Sequence, residues 1–155
     1  MFKINLDKLI HSQNIFNKIK LLIYKAIKNS ELPSSDKIGK NIRFPHGLKG
    51  IVLHPNTIIE DNVTIFHQVT CGRGDMYKIF PNAPKSKFSG IVLKEGAVLC
   101  AGAKIICNNG VLTVGKNTII AANAVLTKST GDNEIWAGVP ARLIKKHDLS
   151  YNSAE

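Results

Sequence analysis

Residues 53–71 read LHPNTIIEDNVTIFHQVTC, and this stretch decides the fold. Leu53, Ile59, Ile65 and Cys71 recur at every sixth position. Thr57, Val63 and Val69, small or β-branched, each stand four positions after a marker. Asp61-Asn62 lies between them, where a chain turns. A helix repeats every 3.6 residues and a strand alternates every two, so neither accounts for a beat of six. A parallel β-solenoid does, because its coils stack short strands joined by turns. The same beat returns at Leu93, Leu99 and Ile105, and again at Val114, Ile120 and Leu126. Ala97, Ala103, Thr118 and Ala124 fill the small positions, as a narrow coil interior requires.

Three departures from the beat carry information. Phe44 to Leu53 is three residues longer than one beat, and so is Ile105 to Val114, at Asn108-Asn109-Gly110. From Cys71 to Leu93 there are 22 residues where six would serve. The excess, residues 73–90, holds Pro81 and Pro84 and sets Arg73, Lys78, Lys85 and Lys87 against Asp75. It reads as a basic loop leaving the solenoid, and such excursions often bind.

Composition agrees. The 155 residues are 44% hydrophobic but only 6% aromatic, so the core is aliphatic and a disordered tail protein is excluded. Three cysteines without a C-x-x-C pair give neither a disulfide scaffold nor a structural zinc module, and fit a reducing compartment. The start, MFKINLDKLI, interrupts its apolar runs with charge, so a signal peptide is not expected and the cytoplasm is the expected location. The net charge of +10 raises nucleic acid and membranes as partners. Its basic residues are not interleaved with aromatics as stacking platforms for single strands require, so nucleic acid is not expected.

Residues 1–30 form a separate N-terminal segment. Ile15, Phe16, Ile19, Leu22, Ile23, Ala26 and Ile27 make one apolar stripe at helical spacing, with Ser12 or Asn14 as the start and Asn29-Ser30 before Pro33 as the stop. The stripe is expected to dock on the rest of the domain with Lys18, Lys20, Lys25 and Lys28 in water. A basic amphipathic helix on an anionic membrane is the less favoured reading. Residues 31–146 form the solenoid, with the 73–90 excursion, and residues 147–155 are a tail.

The histidines give the candidate chemistry. His46 and His67 each stand two positions after a marker, Phe44 and Ile65, and are 21 residues apart, one 18-residue coil plus the three-residue slip. They should lie on the same face, one coil apart at a strand-to-strand spacing of about 4.8 Å, and could form an acid–base site. His54 falls at a different turn, so three histidines do not converge and no metal is expected. Cys71, Cys100 and Cys107 read as small hydrophobes.

Residues 135–146, IWAGVPARLIKK, follow the last beat. This element, the hexapeptide beat and residues 44–72, FPHGLKGIVLHPNTIIEDNVTIFHQVTCG, resemble the hexapeptide-repeat acyltransferases. The resemblance is to serine-acetyltransferase-like members, including short sugar and polysaccharide O-acetyltransferases. It implies a left-handed parallel β-helix, active sites between the subunits of a homotrimer, and acetyl-CoA as donor. It assigns His46 as general base, Glu31 as the carboxylate that orients it, and His67 as a residue lining the cleft. Ala101, Gly102 and Ala122 would lie along the cofactor arm, with Arg142 and Lys145 at its phosphates. Serine acetyltransferases have a second histidine where this chain has the 73–90 loop, which holds none, and a longer helical N-terminal domain. A sugar or polysaccharide hydroxyl, anionic in keeping with the +10 charge, is therefore the preferred acceptor. Serine O-acetylation in cysteine biosynthesis and a non-catalytic solenoid binding module are the alternatives.

Overall fold

A computed structural model describes residues 5–75, 80, 82–85 and 87–148. Lys78 and Pro81 of the expected basic loop, and most of the expected tail, lie outside the described residues. Helices α1 (Leu6–Ile10) and α2 (Ile15–Lys28) come first. Strands β1 (Val52–Leu53), β2 (Thr57–Ile59), β3 (Thr64–Ile65) and β4 (Thr70–Arg73) follow, then β5 (Phe88–Leu93) and β6 (Val98–Leu99). The chain continues through β7 (Lys104–Cys107), β8 (Gly110–Val114), β9 (Ile119–Ile120) and β10 (Val125–Leu126) to β11 (Glu134–Gly138) and β12 (Ala141–Lys146).

The strands form three sheets, β1-β4-β7-β10, β2-β5-β8 and β3-β6-β9-β11-β12. All neighbours are parallel except the final pair β11 and β12. Each coil therefore contributes one strand to each face of a three-sided stack. The six-residue markers fill the inside: Leu53, Ile59, Ile65, Cys71, Leu93, Leu99, Ile105, Val114, Ile120 and Leu126 are all at most 2% exposed. Thr57, Val63, Val69, Ala97, Ala103, Thr118 and Ala124 are buried at the narrow corners beside them. The slips do not break the stack, because the extra residues fold back into it: Leu48, Ile51 and Leu112 are buried too.

Asparagine and glycine make the corners. Asn41, Asn62, Gly96, Asn117 and Asn133 stack at one corner, all with positive φ, which these residues tolerate best. Asn41 donates its side-chain amide to Asn62 Oδ1 at 3.3 Å, and Asn117 to Asn133 Oδ1 at 3.2 Å. A second corner stacks Gly50, Gln68, Gly102 and Asn123, also at positive φ. Its ladder runs from the Gln68 amide to Lys49 O, Gly102 to His67 O and Asn123 to Ala101 O, at 2.9–3.0 Å.

The helices cover the first coil. Asn14 caps α2 by accepting from the Phe16 amide at 2.8 Å, and Asn29, at φ 53, ends it. Ile10 is buried, and Leu6, Leu21, Tyr24 and Leu32 pack against the core. His11 Nε2 lies 2.9 Å from Gly39 O, tying α1 to the first coil. The expected docking of the α2 stripe is not what the structure shows. Asn17, Leu21, Tyr24 and Lys28, spaced four, three and four, form the sheltered side, and the stripe from Ile15 to Ile27 faces outward. The reason is geometric: α2 leaves through Ser30 into Glu31, whose amide bonds Ile51 O at 2.8 Å, and this exit fixes the rotation of the helix.

Candidate active site

The corner after the β3-β6-β9-β11 face gathers the residues of interest. Backbone register places His67, Ala101 and Ala122 at the same position in three successive coils, each two residues after the markers Ile65, Leu99 and Ile120, and His46 stands two residues after Phe44, beside Ile65 in the first coil. The imidazoles of His46 and His67 meet edge to face with centroids 4.8 Å apart. Phe66 closes one side of His46, at 5.9 Å. His46 is exposed, while His67 is half-buried. The Nδ1 atom of His67 is shut off from solvent and, among the described residues, has no hydrogen-bond partner. A buried N–H without an acceptor is costly, so the His67 proton is better carried on Nε2.

Below the histidines the column becomes narrow. Ala101 and Ala122 carry only methyl groups, and a Cβ on Gly102 would collide with Asn123 Oδ1. The Ala101 and Ala122 amides take no part in the corner ladder, which uses Gly102 and Asn123 instead. A slender, extended molecule can therefore run along this corner and find N–H donors. The β11–β12 hairpin sits at its foot: Gly138 pairs with Ala141 and Arg142 with Ala137, whereas Lys145 is further away, beside Ile135. Arg142 and Lys145 are both exposed.

Glu31 is placed differently. It bridges to Val52 at the head of the β1-β4-β7-β10 sheet, with its side chain exposed in a recess lined by Lys25, Ala26, Asn29, Ser30 and Val52. Among the described residues no hydrogen bond joins it to His46. Phe66 and Tyr24, which periodicity and resemblance do not single out, do border the site. Tyr24 sets its hydroxyl 2.5 Å from where a Cβ of Gly47 would be, so glycine beside His46 lets α2 approach. Phe66, directly after a marker and before His67, was detectable as an outward aromatic; Tyr24 gave no such signal.

The base of the excursion is a compact charged knot. Arg73 donates Nε to the fully buried Asp75 carboxylate at 2.9 Å and stacks on Phe88 at 5.6 Å. His54 meets the Phe88 ring at 4.8 Å and accepts the Asn56 amide on Nδ1. Burial, then the charges of Arg73 and Lys37, hold the His54 pKa below its ordinary range. Burial pushes the Cys71 thiol up to about 12 and raises Cys100 as well, which suits small hydrophobes rather than nucleophiles. Among the described residues no group of three His, Cys, Asp or Glu is arranged to hold a metal ion.

No family model matches the chain. It is similar to curated serine acetyltransferases, with 36% identity over 110 residues to that of Haemophilus influenzae, covering 71% of this chain and 37% of the relative. Identity is 30% over 122 residues to that of Bacillus pumilus, covering 79% and 51%. The chain thus spans about a third to a half of the length of these relatives. Its structure resembles serine acetyltransferase from Brucella abortus, with a TM-score of 0.63 and 30% identity over 84% of this chain and 48% of that one. The same bacterium's enzyme in complex with coenzyme A gives a TM-score of 0.60 and 33% identity, covering 73% and 40%.

Proposed function

We propose that this chain, a member of the hexapeptide-repeat acetyltransferase family, moves an acetyl group from acetyl-CoA to a hydroxyl oxygen, with His46 as general base. The observation that carries the reading is the corner column, in which an exposed His46 stands against His67 above Ala101, Gly102 and Ala122. Acetyl-CoA supplies an activated thioester. His46 takes the proton of the acceptor hydroxyl as that oxygen bonds to the acetyl carbon, and returns it to sulfur as the carbon–sulfur bond breaks. His67, protonated on Nε2, lines the same cleft as a donor. In this reading the amides of Ala101 and Ala122 would bond an extended arm, and Arg142 and Lys145 would meet phosphates. Holding both substrates in one cleft would supply much of the rate advantage. Glu31 belongs to the proposal as the orienting carboxylate, although within one chain it stands on the neighbouring face.

The names of the relatives support serine as acceptor over the sugar or polysaccharide hydroxyl preferred from the sequence. A sugar hydroxyl stays as the second reading, on one observation: residues 73–90 contain no histidine. The proposal includes the left-handed sense of the helix and a homotrimer with the cleft between chains. Exposed Val52, Ile58, Val111, Leu143 and Ile144 on the faces and closing hairpin give such an assembly apolar surface to bury. Thiol release from acetyl-CoA, measured with serine and with a panel of sugars, tests the reading. His46→Ala should lower turnover by about 10²–10⁴-fold while leaving the melting temperature unchanged. Near-normal turnover in that variant would remove His46 as the base.

A further inference from the structure

Helix α2 has two working sides. One shelters Leu21 and Tyr24 against the first coil. The other presents Ile15, Phe16, Ile19, Leu22, Ile23 and Ile27, which are 47–71% exposed. A contiguous apolar stripe of this size on a soluble fold marks an interface. We propose that this face of α2 seats the protein on an anionic lipid bilayer, with the helix axis in the plane of the headgroups.

Charge decides the occupant. Lys18 and Lys20 flank the stripe on its two sides, where long side chains can lie along apolar surface and hold their ammonium groups at headgroup level. Lys28 lies over the Tyr24 ring on the sheltered side, and α2 contains no Asp or Glu. The acids near α2 are Asp7, which faces His11 at 3.7 Å, and Glu31, which shares a recess with Lys25 away from the stripe. A second copy seated on the stripe would bring Lys18 and Lys20 close to their own counterparts, whereas an anionic surface is complementary to them. An amphipathic helix with a polar basic face and Phe, Ile and Leu on the other is the form that binds in the interface plane. Among the described residues no helix is long and apolar enough to cross a membrane, so the contact is with the surface.

The test is flotation of the full chain with vesicles of phosphatidylcholine alone or mixed with phosphatidylglycerol. The protein should float with the anionic vesicles, remain behind with the neutral ones, and be released by added salt. Removing Lys18 or Lys20 by substitution with Gln should weaken partitioning about fivefold each. Phe16→Ser should weaken it about tenfold or more. Circular dichroism and thiol release from acetyl-CoA should be unchanged in all three variants, since these side chains are exposed and outside the corner column. Failure to float with anionic vesicles, or flotation unaffected by Phe16→Ser, would overturn the proposal. So would a change of sedimentation coefficient in Phe16→Ser without lipid, which would make the face a contact between copies. Flotation, circular dichroism and sedimentation depend on neither the acceptor nor His46, so failure of this proposal is distinguishable from failure of the proposed activity.

Discussion

Gly102 offers a quantitative test of the corner geometry, by substitution with alanine. Its φ is +71, a region that costs a residue with a Cβ roughly 1–2 kcal/mol. The added methyl would also meet Asn123 Oδ1, one coil away. Asn123 is exposed and can turn aside, at a cost of about 0.5–1.5 kcal/mol for leaving its preferred rotamer. Gly102→Ala should therefore lose about 2 kcal/mol in total, of which about 1 kcal/mol is the encounter with Asn123. The partner substitution is Asn123→Gly, tolerated because Asn123 is itself at φ 55. In the double variant the collision is gone and only the backbone cost remains. Urea unfolding of the four proteins at one fixed protein concentration measures the cycle. A single variant within about 0.5 kcal/mol of wild type would refute the backbone argument, and a double variant no more stable than the single would refute the collision.

Two further outcomes follow from groups outside the column. His54 has a depressed pKa in the fold, first from burial and then from Arg73 and Lys37, against an ordinary value of 6.5. Its neutral form is the folded one, so its stabilising contribution is complete above pH 6.5 and is lost as pH falls through the lowered value. Melting temperature should accordingly drop less between neutral and mildly acidic pH in His54→Gln than in wild type; equal slopes would contradict this. Cys71, buried and with its pKa raised to about 12, should resist alkylation at neutral pH until the protein unfolds, whereas rapid labelling of the native protein would show that the coil opens there.

The interior was legible because every coil repeats one environment. Leu53, Ile59 and Ile65 sit in equivalent pockets, so a period in the sequence becomes a position in space. The His46–His67 pair was legible for the same reason, since coil length plus slip is arithmetic along the chain. Helix α2 was not. Its periodicity identifies an apolar side, but periodicity carries no information about which neighbour meets that side. The packed side instead uses Leu21, Tyr24 and lysine stems, a set that does not stand out in the sequence. Glu31 was not legible from periodicity at all: it came only from the resemblance, and in the three-sided coil it stands on the face adjoining His46. The segment 135–146 stood out by its residues, but the antiparallel return of β12 on β11 depends on a turn at Gly138 that the six-residue beat does not foretell.

That return has a consequence for the molecule as a material. A stack of parallel coils ends, at either pole, in strands whose hydrogen-bonding groups could accept another coil, from the same chain or a different one. At one pole α1 and α2 lie over the first coil, with Ile10 sealed beneath them. At the other, β12 runs against the grain and carries Arg142, Lys145 and Lys146 on the outer strand. An incoming parallel coil would meet the wrong polarity and a row of positive charge. The chain is built from repeating units, and its two least repetitive segments make its poles unlike a coil: a helical cover at one and, on one face of the other, a strand of the wrong polarity.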